Sequence, residues 1–171
     1  MGILSGNSQD EPMHYGEVFS TWSYVMASNS AIAEHQMMLN HVGDEDLKKL
    51  LKETIEKGEE EVKQVETLLK ENGVTLPPSS PEPPTADLND IPAGARFQDP
   101  AVAAATSAEV AAGLVTCSQI MGQSIREDIA MMFGQFHTNK ATLAGKLLKL
   151  NKEKGWLIPP PLHHHNPQEE N

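Results

Sequence analysis

Two stretches of the chain close in the same way. Leu68-Leu-Lys-Glu-Asn-Gly-Val-Thr-Leu-Pro-Pro78 aligns without a gap on Leu150-Asn-Lys-Glu-Lys-Gly-Trp-Leu-Ile-Pro-Pro160, with six of eleven positions identical. Each ends a long run of helical periodicity with a lysine, then a glycine able to form a left-handed cap, then prolines that cannot continue a helix. A repeated ending on two runs of similar length predicts an internal duplication of a helical hairpin.

The periodicity divides each half in two. Helix 1 is expected from Gly16 to Val42, with Val18, Trp22, Val25, Ile32 and Leu39 on one face together with Asn29 and Gln36. Helix 2 opens at the N-cap Asp44 and runs to Gly73, with Leu47, Leu51, Ile55, Val62, Val65 and Leu69 inside. Outside it, Glu45 to Lys49, Glu53 to Lys57, Glu59 to Lys63 and Glu66 to Lys70 read as acid-first pairs at i, i+4. Asp99 and Pro100 signal the start of helix 3, which is rich in alanine and is expected to end near Met121, where Gly122 breaks it. Ser124 and Glu127 form a capping-box pattern for helix 4, whose face includes Ile125, Ile129, Met132, Phe136, Leu143, Leu147 and Leu150 and which stops at Gly155.

Between the halves lie Pro77, Pro78, Pro81, Pro83, Pro84 and Pro92 with few apolar anchors. About 26 extended residues reach roughly 80 Å, about twice the length of a 27-residue helix, so this segment can cross a whole bundle. The expected architecture is all-α: a ferritin-like four-helix bundle of two helical hairpins joined by a long Pro-rich crossover. It reads as one domain, with an N-terminal arm at 1–15, a first hairpin at 16–73, a crossover at 74–99, a second hairpin at 100–155 and a tail at 156–171.

The chain has 171 residues, with 13 basic and 24 acidic side chains and a formal charge of −11. That balance without a basic patch argues against nucleic acid and anionic membrane surfaces as partners. No stretch of about 18 uninterrupted apolar residues suggests a membrane span. The single Cys117 cannot form an internal bridge, which fits a reducing, intracellular setting, and Met1 to Asp10 lack the pattern of a secretory signal.

Ferritin-like bundles commonly hold a metal pair with one Glu from each of two helices and a Glu-x-x-His from each of the others. The one such motif here, Glu11 to His14, contains Pro12 and precedes helix 1, so it reads as a turn. Asn29 and Gln36 stand at helix 1 face positions where a ligand glutamate would be expected. Weaker candidates for an unconventional metal or redox site are Glu34, His35, Glu109 and His137. Their blander readings are a solvated or capping role for Glu34 and His35, a salt bridge from Glu109 to Arg126 or a lysine, and a core-edge histidine at 137. Arg126, Glu127 and Asp128 read as cap and dipole partners, and Cys117 as a buried, inert thiol. Met26, Met37, Met38, Met121, Met131 and Met132 are expected mainly in the core, with an adaptable partner surface as the alternative. His163, His164 and His165 read as a solvated tail able to bind a soft metal weakly. No catalytic, cofactor or metal residue is assigned from these patterns.

Three segments carry a family resemblance: Gly6 to Glu17, Ser118 to His137, and Leu150 to Pro161. They resemble a family of uncharacterised proteins of endospore-forming bacteria, a domain of unknown function allied to spore coat protein F and to the ferritin-like fold. The helix ending Lys154-Gly155-Trp156 is similar to that of coat F bundles. The resemblance implies a structural, coat-associated protein without an enzymatic role, with coat components or further copies of itself as partners and the spore coat as its destination. The alternatives are a metal-binding or redox bundle and a binding module for a small apolar ligand or a protein. The alanine-rich helix 3 permits a close dimer contact.

Overall fold

A computed structural model of the chain describes residues 11–79 and 81–163; the histidines at 164 and 165 lie outside the described residues. It holds four helices and, among those residues, no strand: α1 (Tyr15–Leu39), α2 (Glu45–Glu71), α3 (Asp99–Gln123) and α4 (Glu127–Glu153). Their lengths are 25, 27, 25 and 27 residues, so the two hairpins match element for element. The repeated endings also match in geometry. Gly73 and Gly155 adopt φ of 72° and 70°, and each places the next amide on the carbonyl five residues back, Val74 on Leu69 and Trp156 on Asn151, both at 2.9 Å. A side chain with a Cβ resists that left-handed conformation, which is why glycine stands at both ends.

Within each hairpin the helices pack closely, and two apolar clusters fill the bundle. One surrounds Phe133 and Phe136, where the Tyr24 ring meets Phe133 edge-on at 5.0 Å. The other surrounds Leu47, Leu51 and Leu147, all essentially sealed from solvent. Each of these large side chains contributes roughly 1.5–3 kcal/mol by burial.

Side chains from one hairpin cap the helices of the other. Glu17, buried near the start of α1, accepts the amide of His14 with one oxygen and the amides of Ile125 and Arg126 with the other, at 2.9 and 3.0 Å. Reciprocally, Asp99 at the start of α3 accepts the amides of Gly43 and Asp44 at 2.9 and 3.0 Å. Helix starts leave amides without intrahelical partners, and these two carboxylates take them across the bundle. Two cations complete the joints. Lys154 at the end of α4 contacts Asp44 and Asp46, each at 2.7 Å, and the Arg126 guanidinium forks onto Asp128 and reaches Asn72 at the end of α2.

These joints account for three departures from the sequence expectation. Ser124 does not cap α4; its hydroxyl donates back to Ile120, and α4 starts three residues later with Arg126 as N-cap residue. Asp99 is the first residue of α3, after Gln98 as N-cap residue, because its carboxylate serves the other hairpin. Gly122 continues α3 to Gln123, and Ile125 lies outside α4 and is exposed. The first helix also ends early, at Leu39, because Asn40 turns to the crossover, donating to the Pro84 carbonyl and accepting the Ala86 amide. The crossover is extended apart from two short 3-10 turns, Leu88–Asp90 and Ala93–Ala95.

Of the four expected pairs along α2, Glu66–Lys70 forms, at 3.5 Å. Lys48 and Lys57 instead meet Glu45 and Glu60 at i, i+3, and Glu53 leaves its helix to pair with Lys146 of α4. Exposed pairs differ by only tenths of a kcal/mol, so an interhelical partner easily redirects one. The methionines also depart from expectation: Met26, Met37, Met121 and Met131 are exposed, whereas Met38 and Met132 are half-buried against the core.

Candidate functional site

The groove of interest lies between α1 and α3. It has a volume of about 540 Å³ and is lined on α1 by Gly16, Ser20, Ser23, Ala27 and Ala31 and on α3 by Ala112, Gly113 and Thr116. On its floor, at the middle of the bundle, α2 and α4 supply a charge pair. Glu61 of α2 is 2% exposed; its Oε2 accepts from the Lys140 ammonium at 2.6 Å and from the Tyr24 hydroxyl at 2.7 Å. A carboxylate buried this deeply requires such partners, because desolvation alone costs several kcal/mol. Burial, then the charge of Glu61, pushes the Tyr24 phenol well above its ordinary range, so it stays a neutral donor. Gly113 is what lets Lys140 through: a Cβ there would sit 2.9 Å from the lysine Cδ.

One end of the groove holds His35, 4% exposed, with its Nε2 3.1 Å from Glu109 Oε2 but not aligned as a hydrogen bond. The sequence candidates thus divide. His35 and Glu109 come together. His35 is buried rather than solvated, and Glu109 pairs with it rather than with Arg126, which lies among Asp128, Asn72 and the Glu11 carbonyl. Glu34 on the same helix is exposed, and His137 is half-buried on α4 away from the groove lining. His14 caps α1, accepting the Gly16 amide with Nδ1 at 2.9 Å. Cys117 is fully buried, and burial pushes its thiol up to about 11.

At the hairpin joints, hydrogen bonding to Lys154 holds the Asp44 carboxyl below the ordinary carboxylate range, and Arg126 does the same for Asp128. Asn29 and Gln36 do not line the bundle centre. They border an open cavity of about 370 Å³ between α1, α2 and the crossover, where the Asn29 amide nitrogen is buried without a partner.

The residues at the centre do not fit a metal pair. No three His, Cys, Asp or Glu side chains converge among the described residues, and the central carboxylate is engaged by an ammonium and a phenol. Sequence reasoning missed Glu61, Lys140 and Tyr24. The available signal was position: Glu61 stands seven residues after Thr54 and four before Val65, on the inner face of α2.

Comparison with known proteins agrees with this architecture. The model of DUF3231, a family of proteins of unknown function, matches residues 1–168. The uncharacterized protein YvdQ of Bacillus subtilis is 75% identical over 163 residues, covering 95% of this chain and 96% of that protein. The crystal structure of a "putative spore coat protein" from Bacillus halodurans superposes with a TM-score of 0.91 at 60% identity, covering 93% of this chain and 100% of that one. A conserved hypothetical protein from Mycobacterium tuberculosis shares the fold alone, at a TM-score of 0.63 and 11% identity, over 80% of this chain and 98% of that one. With the family model spanning nearly its whole length and close relatives in two bacilli, the chain belongs to the DUF3231 family.

Proposed function

We propose that this protein is a structural, coat-associated component of bacterial spores: a ferritin-like bundle with a scaffolding rather than an enzymatic role. The observation that carries the reading is the occupant of the bundle centre. Where ferritin-like oxidases place bridging carboxylates around metal ions, this chain places the Lys140 ammonium against Glu61, with Tyr24 completing the set. A fixed internal cation supplies locally the charge balance that a metal would otherwise bring. The 60%-identical Bacillus halodurans protein supports the destination, since its description refers to the spore coat.

The test is fractionation of purified spores from an endospore-forming host that expresses the chain under its own promoter. Recovery in the coat extract is the expected result. Confinement to the mother-cell soluble fraction after coat assembly would overturn the reading.

A further inference from the structure

We propose that the outer face formed by α1 and α3 is where two copies of this chain associate. Neither helix contains a lysine or arginine. On α1 from Tyr15 to Ala33, and on α3 from Ala101 to Gln123, the fully exposed residues are uncharged, and the one half-exposed carboxylate there, Glu109, lies against His35. The two helices hold four acids, Glu17, Glu34, Asp99 and Glu109; Glu17 is buried and Asp99 is engaged by the Gly43 and Asp44 amides, so little of that charge reaches the outer face. Two identical acidic molecules repel where their charged surfaces meet, and across the α1/α3 face they approach with few exposed like charges opposed.

The face also has the composition of a contact. Tyr15, Phe19 and Met26 project from α1 and Val115 from α3, with exposures of 95%, 72%, 45% and 67%. A helix whose outer side faces water normally carries charge there, as α2 does with Glu45, Glu56, Glu60 and Lys52. Beside these projections lies the groove of about 540 Å³ walled by Ala27, Ala31, Ala112 and Gly113. Projections and a recess on one face are the elements a self-complementary two-fold contact uses. Size is adequate as well. Two 25-residue helices side by side present about 37 Å by about 20 Å, close to the ~800 Å² per partner of a standard interface. The inference names the partner of the scaffold reading but does not rest on the spore as its location.

Sedimentation equilibrium and native mass spectrometry of the untagged full chain test it. The expected mass is twice 18.7 kDa. Phe19→Glu on α1 and Val115→Glu on α3 each place a charge in the contact and are expected to weaken association at least about tenfold, with helical circular dichroism unchanged. Lys52→Glu, on the exposed side of α2, is expected to leave the dimer intact. A wild-type monomer at about 100 µM would overturn the proposal, whether it is bare, carries an apolar molecule in the groove or binds zwitterionic vesicles. A dissociation constant unchanged in either glutamate variant, or one raised as much in Lys52→Glu, would overturn the assignment of the face. A dimer absent from the coat fraction would sink the spore reading and leave this one standing.

Discussion

The Lys140–Glu61–Tyr24 group fills the polar centre of the bundle. Glu61 is nearly sealed from solvent and Lys140 is 17% exposed at the side chain, so the pair behaves as a buried one. Removing one partner leaves an uncompensated charge, and Lys140→Met is expected to lower unfolding stability by about 3 kcal/mol. Adding Glu61→Gln keeps an acceptor for the Tyr24 hydroxyl but removes the orphaned charge, and should restore more than half of that loss. Urea unfolding at a single protein concentration reads both values. A single variant as stable as the wild type would show that the pair is solvated. These residues were hard to read in advance because periodicity counts apolar side chains, and α1 turns a polar-bearing stripe inward. Glu17, Thr21, Tyr24 and His35 are buried on it, whereas Asn29 and Gln36, on the apolar stripe, border the outer cavity beside α2.

Among the helices, those with strong patterning were legible and the turns were not. The start of α2 at Asp44 and both glycine caps follow from local chemistry, since Asp44 accepts the Asp46 and Leu47 amides of its own first turn. The caps supplied by Glu17 and Asp99 come from residues 108 and 56 positions away, where no local pattern points. The same contrast separates two helical glycines. Gly145 on α4 is exposed and a Cβ there would meet nothing within 4 Å. Gly145→Ala is therefore expected to stabilise the protein by about 0.5–1 kcal/mol through helix propensity. Gly113→Ala gains the same propensity but pushes on the Lys140 stem at 2.9 Å, so its midpoint in thermal unfolding should fall below that of Gly145→Ala. Equal midpoints would mean that Lys140 moves aside freely.

Across the whole molecule, the likeness visible in the eleven-residue endings extends to helix lengths, glycine caps and the reciprocal clamps between hairpins. The bundle and its long crossover were legible because they follow from repeat length and proline placement. Which surface stays bare was less so. By length and composition alone α3 could cross a membrane, yet it packs along α4 and beside α1, with its Ala-rich outer side left open. At this scale the proposed scaffold role turns on the bundle centre, where Lys140 occupies the one central carboxylate, Glu61. Elemental analysis of untagged, unchelated protein, with and without residues 163–165, tests it most directly. The expected result is no near-stoichiometric iron, manganese or zinc in the shortened chain. Metal that survives the deletion near one equivalent and is lost in Glu61→Gln would contradict it.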